Sequence, residues 1–357
     1  MSKVVYLMGA GASYGKRWKD ATGKDLWGEI FEGLPIVSEI PDRLEHIKTL
    51  FTQETISEYS ETQKELEHDF NWLIDNTRRH ATIDTFAKKL FLTNQTAEYT
   101  KLKRLLSLYF KAEQLINRPD GRYDTFLASV LQKNSKGKLR ISDDITILTW
   151  NYDSQFEIAY KEYLSAGNYQ EDIDFPERLG VHIHSNIADF IKPSTSEDDG
   201  ARQIFKLNGS ASFIGDYSMG HYYEYNDGKI TLQRKKDLLK IYAAPYYPDG
   251  SPKKSMLNFA WEYEKTPEYI NLLDNSISGA ESLVIIGYTF PFFNREVDSF
   301  LFKFLWRHLR NIYIQDPNAN NLKEVVLNTI HNAGGIFESS DIHTINNTDQ
   351  FFLPPEL

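Results

Sequence analysis

The run "VVYLM", residues 4–8, breaks into Gly9, Ala10, Gly11, Ala12 and Ser13, five residues with almost no side chain between them. Small residues after a buried strand let backbone N–H groups approach a pyrophosphate, and a following helix N-terminus favours its charge. The spacing departs from the dinucleotide fingerprint, because the third glycine is Gly15, one place late for G-x-G-x-x-G. A tight strand-to-helix turn that holds nothing accounts for the same residues equally well. The span "KDLWGEIFEGLPIVSEIP" supplies neither the second strand nor the ribose-binding acid that a dehydrogenase carries about 20 residues on. A standard oxidoreductase is therefore disfavoured.

Four further apolar runs end in polar residues of chemical interest. "ITILTW" leads to Asn151, Tyr152 and Asp153, and "IFKL" to Asn208, Gly209 and Ser210. "LVII" leads to Gly287 and Tyr288, with Asn294 and Asp298 entering the next helical segment, and "NIYIQ" leads to Asp316 and Pro317. Each set alone is an ordinary turn, and Asn151 or Asp153 suits a helix cap. Together they read differently, because ligands of parallel sheets sit beyond the carboxyl ends of the strands.

The elements that must position these residues follow from the same runs. Strands apolar throughout, spaced by helical segments, imply an α/β fold: a Rossmann-like parallel sheet with helices on both faces. Residues 42–133 change character, with apolar positions three and four apart amid dense charge, and read as a helical module inserted after the first strand and turn. The division expected is residues 1–41 and 134–357 as the α/β domain and 42–133 as the insertion. Within the former, 175–250 forms an irregular, aromatic insertion in which "YYEYNDGKITL" reads as a hairpin turning at Asn226-Asp227-Gly228.

Composition narrows the chemistry. The chain has 357 residues, a formal net charge of −10 and no cysteine. The acidic balance argues against direct nucleic-acid binding, and the basic runs at Lys101, Lys103, Arg104 and at Arg234, Lys235, Lys236 read as solvated faces. Zero cysteines exclude disulfides, a thiol nucleophile and every Cys-ligated zinc site. No apolar run approaches the ~20 residues of a membrane helix, and the start moves straight into a strand, so a cytoplasmic protein without membrane association is expected.

The ordered set "GAGAS", "GLPIVSE", "TWNYD", "KLNGS" and "IIGYTFPFFNREVD", with "TIDTFAKKL" in the helical module, resembles the sirtuin-like family of NAD⁺-using proteins, and in particular the bacterial sirtuin-like domains of anti-phage defence systems. The resemblance implies that Gly9, Ala10, Gly11, Ala12 and Ser13 line the NAD⁺ pyrophosphate, and it draws Pro35 of "GLPIVSE" into the cofactor-binding set with Gly209, Ser210 and Asp298. Asn151 corresponds to the Asn that holds the nicotinamide ribose or its attacking water, with Asp153 beside it. Gly287, Tyr288 and Asp316 would lie near the adenosine half. The chain departs from the family at Asn208, where the pattern has the general-base His of Lys-Leu-His-Gly-Ser. His182 and His184 of "VHIHS" are candidate replacements, and equally ordinary surface or core histidines.

Both departures bear on activity. Nicotinamide leaves NAD⁺ as a neutral molecule, so cleavage of the glycosidic bond needs a rigidly held ribose and a positioned water rather than a strong acid. Deacylation must also deprotonate a ribose hydroxyl, the step most sensitive to a lost imidazole. Deacylases of the family generally carry a four-cysteine zinc module, which this chain cannot build. The resemblance therefore implies an NAD⁺ glycohydrolase without metal, acting as a defence effector under control of a protein partner or of homo-oligomerisation. The alternative is a catalytically silent module that senses NAD⁺ or ADP-ribose.

Overall fold

A computed structural model of the chain describes residues 3–15, 32–133, 137, 139–166, 181–183, 204–213, 230–243, 255–263 and 266–357. β1 (Lys3–Met8) lies near the centre of a seven-stranded sheet. Its other members are β4 (Ile145–Thr149), β5 (Val181–Ile183), β6 (Ile204–Lys206), β9 (Ala280–Ile286), β10 (Asn311–Gln315) and β11 (Ile342–Ile345), in the order β11-β10-β9-β1-β4-β6-β5. Every pairing in it is parallel. Two short antiparallel pairs complete the strands: β2 (Leu131–Lys133) with β3 (Leu139–Ile141), and β7 (Gly209–Phe213) with β8 (Ser255–Leu257).

The unbroken apolar runs are explained by what covers the sheet. Successive strand side chains point to opposite faces. Val5 and Leu7 of β1, Leu283 and Ile285 of β9, and Ile312 and Ile314 of β10 enter one core with α8 (Pro267–Ile277), α9 (Arg295–Leu305) and α10 (Ala319–Asn332). Val4, Tyr6, Met8, Val284, Ile286 and Tyr313 enter another, with α5 (Gly121–Val130) and α6 (Gln155–Ala166). Both faces are buried, so neither can be polar. This is the α/β, doubly covered parallel sheet anticipated from the runs.

A third core is helical. It joins α1 (Ile40–Thr52), α2 (Ser60–Arg79), α3 (Ile83–Leu92) and α4 (Thr96–Ile116) with α7 (Leu232–Ala243). α7 corrects the expected hairpin. Residues 222–229 lie outside the described residues, but Ile230 and Thr231 are not strand and the helix begins at Leu232. Its buried Lys235, Leu238, Leu239, Ile241 and Tyr242 follow helical spacing, and packing against α2 and α4 settles the conformation where two-residue alternation had suggested a strand. No helix among the described residues is long and apolar enough to cross a membrane.

The register aligns the strand ends. Met8 pairs with Thr149 and with Ile286, Ile286 with Gln315, and Thr149 with Lys206. The ladder continues one residue beyond: Leu207 N–H donates to Thr149 O, Trp150 to Met8 O, Gly9 to Ile286 O, Gly287 to Gln315 O and Asp316 to Ile345 O. Gly9, Trp150, Leu207, Gly287 and Asp316 thus form one row along the carboxyl edge. From β1 the chain passes to β4, on to β5 at the edge and back to β6 between them, then crosses to β9 on the other side of β1, so the order reverses beside the glycine turn.

Candidate functional site

The glycine turn is defined first by how closely it is packed. A Cβ on Gly9 would lie 2.6 Å from Gly287 O, and one on Gly11 2.7 Å from Gly287 Cα. Gly287 in turn has φ +58°, with its own missing Cβ 2.4 Å from Gly11 Cα. Two backbone turns cross here with no room for a methyl group. The consequence is that most N–H groups face inward. Gly9 donates to Ile286 O at 3.0 Å, Gly11 to Gly287 O at 3.0 Å, Ala12 to Gly9 O at 2.9 Å and Ser13 to Ala10 O at 3.1 Å. Ala10 is exposed, and its N–H alone in this stretch has no acceptor among the described residues.

Asn151 joins the second strand end to that turn. Its Nδ2 donates to Gly9 O and to Ser13 Oγ, both at 2.9 Å. A carbonyl oxygen can only accept, so the amide nitrogen must face Gly9, and Oδ1 is left without a donor among the described residues. Behind this pair, Ser13 Oγ lies 3.1 Å from Tyr123 OH, and Gln155 Nε2 holds Ser13 O at 3.0 Å. Asp153 is buried, accepts the Gln155 N–H at 3.1 Å at the start of α6, and has its carboxyl pushed up by burial against the opposing pull of Lys206. Asp153 thus caps α6, as one of its two sequence readings expected.

Lys206 is almost wholly buried. Its Nζ reaches the Asp153 carbonyl and Glu157 Oε1, the latter at 2.7 Å, so the strand before Asn208 is tied to the helix after Asn151 by an internal ion pair. Asn208 occupies the position beyond β6 that matches Asn151 beyond β4. It is 7% exposed, its backbone oxygen accepts the Asn258 N–H at 2.8 Å, and its Nδ2 stands 3.5 Å from Tyr152 OH. Its Oδ1 and the neighbouring Ser210 Oγ are buried without a partner among the described residues. Such an orphan costs about 1–3 kcal/mol, which a bound donor relieves. Gly209 begins β7 and pairs with Leu257.

On the other side of the turn, the Tyr288 ring stacks on Trp150 with centroids 5.9 Å apart. Its hydroxyl donates to the Asp298 carboxyl at 2.8 Å and receives Asn294 Nδ2 at 3.1 Å. Burial pushes Asp298 up to about 8, and its carboxyl faces Tyr288 rather than solvent. Asp316 uses Oδ1 to accept the Asn318 N–H at 2.7 Å at the start of α10. Pro35 is buried in the segment whose Leu34 N–H donates to Ser13 O at 2.7 Å. His182 lies on β5 at the sheet's edge, and His184 lies outside the described residues.

The structure therefore gathers Gly9–Ser13, Asn151, Asp153 and Gly287 into one cluster, with Tyr288 packed against Gly9 and with Asn208 and Asp316 farther along the same edge. Sequence reasoning overlooked the contributions of five residues: Arg122 and Tyr123 at the start of α5, Gln155, and the paired Lys206 and Glu157. The local signal available was "DGRY", where Asp120 caps α5 by accepting the Arg122 N–H at 3.0 Å. Among the described residues no three His, Asp or Glu side chains stand where they would hold a metal ion. A comparison with protein-family models matched none of them to this chain, and a search of curated proteins found no matching relative.

Proposed function

We propose that this chain is an NAD⁺ glycohydrolase, releasing nicotinamide and ADP-ribose. The observation that carries the reading is Asn151, whose amide is locked by Gly9 O and Ser13 Oγ so that Oδ1 is free to accept a hydrogen bond at the point where the strand order reverses. In this reading Oδ1 accepts from the nicotinamide ribose or from the attacking water. The C1′–nitrogen bond breaks, its electron pair neutralises the pyridinium, water adds at C1′ and one proton leaves to solvent. The pyrophosphate meets the Ala10 N–H. A donor on substrate or water satisfies Asn208 Oδ1. Biologically the reading is that of a sirtuin-like effector that depletes NAD⁺ in anti-phage defence under control of a partner or oligomerisation.

Asn208 also supports a second reading. An amide takes no proton from water, so a module that binds NAD⁺ or ADP-ribose without turning it over fits the same cluster. One assay separates them. Purified chain incubated with NAD⁺ releases nicotinamide, and Asn151→Ala reduces that release by ~10²-fold or more. Binding of NAD⁺ with no release, with and without products of neighbouring genes, selects the sensor. Absence of binding sinks both.

A further inference from the structure

We propose that Arg122 is a positioning residue for the glycine turn, and that the C-terminal segment 346–352 is the strap that holds Arg122 in place. Gly9, Ala10, Gly11 and Ala12 have no polar side chain with which to anchor their own backbone, so the shape of the turn has to be imposed from outside. Asn151 holds Gly9 O and Gln155 holds Ser13 O, and one guanidinium takes carbonyls between and beyond these. Arg122 Nη2 has two hydrogens, shared among Asp120 Oδ2 at 2.5 Å, Gly11 O at 2.9 Å, Tyr14 O at 3.0 Å and, at the longer 3.3 Å, Ala12 O. Each captured carbonyl fixes its peptide plane, and with it the direction of the next N–H. Its Nε donates to Asp120 Oδ1 and Oδ2 at 3.0 and 2.9 Å, so the carboxylate balances the charge and the contribution is one of shape.

The remaining nitrogen, Nη1, donates to Thr348 O at 3.2 Å, and the guanidinium lies over the Phe351 ring at 4.9 Å. That segment is itself pinned across the end of β10. Gln315 Nε2 donates to Asn347 O at 2.8 Å and to Gln350 O at 2.6 Å, Gln315 Oε1 accepts the Phe352 N–H at 3.0 Å, and Tyr6 OH donates to Phe352 O at 3.1 Å. Phe351 packs edge-on to Tyr123 at 5.1 Å, beside the hydroxyl that meets Ser13. The two ends of the chain thus meet through one side chain, and whatever displaces 346–352 loosens the turn more than 330 residues away in sequence.

The test compares Arg122→Ala, Arg122→Lys and Phe351→Ala with the wild-type chain in two measurements. Hydrogen exchange followed by mass spectrometry reads the peptide spanning residues 9–15, and needs no turnover. All three variants are expected to exchange there about tenfold faster, while peptides from β9 stay protected, and methylguanidinium is expected to restore protection to Arg122→Ala alone. The kinetic measurement rests on the glycohydrolase reading. The Michaelis constant for NAD⁺ rises about tenfold, the ratio that ~1.4 kcal/mol represents, while kcat stays within about threefold, because lost uniform binding raises KM alone. A merely destabilised protein would show the reverse, fewer active molecules at unchanged KM. Unaltered exchange at 9–15 in Arg122→Ala and Arg122→Lys overturns the proposal. A wild-type chain without turnover overturns the glycohydrolase reading and leaves the exchange result to decide this one.

Discussion

Replacing Gly11 by alanine adds one methyl group at the point where two backbone turns cross. The new Cβ would lie 2.7 Å from Gly287 Cα and 3.2 Å from Gly287 O. Unstrained carbon contacts begin near 3.5–4.0 Å, so the turns must part by roughly 1 Å. Neither neighbour can yield by rotating a side chain, since both are backbone, and Gly287 already sits at φ +58°. The parting stretches the Gly11 N–H bond to Gly287 O and the Gly9 N–H bond to Ile286 O, each now 3.0 Å, out of hydrogen-bonding range. Two weakened bonds and an overpacked contact together amount to about 2–4 kcal/mol. At ~2.1 cal/mol/K per residue, a chain of this length melts about 3–5 °C lower. On the glycohydrolase reading proposed above, misplacement on this scale also slows NAD⁺ cleavage by ~10²-fold. Gly279→Ala is the matched control, because a Cβ there meets nothing within 4 Å, and its effect stays within about 0.5 kcal/mol. Thermal melting of both variants decides the matter, with nicotinamide release from NAD⁺ followed in parallel. If Gly11→Ala melts with Gly279→Ala, the crossing is not a constraint and the packing account of these glycines is wrong.

Two further substitutions probe the support around the site. Lys206→Met leaves Glu157 charged and alone in a wholly buried position, so denaturant titration should register a loss of about 3–5 kcal/mol, and adding Glu157→Leu should recover at least half; a single mutant as stable as wild type refutes the pairing. Asp298, raised to about 8 by burial, keeps in the folded state a proton that the unfolded chain releases near its ordinary value, so stability from this group is lost as pH climbs from about 4 through 8. Asp298→Asn cannot ionise, and its melting temperature should fall less steeply than that of wild type over this range. Parallel melting curves would show that the carboxyl titrates normally.

The sheet was legible because its physics is local. A strand buried on both faces has to be apolar along its whole length, so β1, β4, β6, β9 and β10 announce themselves without reference to the rest of the chain, and the polar residues ending each run mark the carboxyl edge. β11 was less visible, since only Ile342 of its four residues is fully buried. The segment before α7 misled because a short "KITL" alternates like a strand, whereas packing of Leu238 and Tyr242 against α2 and α4 makes the following residues a helix.

Within the site, residue type and position along the edge belonged to the sequence: small residues after β1, and an Asn two places beyond both β4 and β6. Tertiary structure alone decided what those residues face. It turned the glycines toward Gly287, directed the Asn151 nitrogen onto Gly9 and Ser13, and left Asn208 Oδ1 without a partner among the described residues. It also brought Arg122 and the segment around Thr348 to the turn. The reason is one of range. Periodicity and chain punctuation record the burial of each segment, but a hydrogen bond between groups 111 or 226 positions apart exists only once the sheet has closed around both.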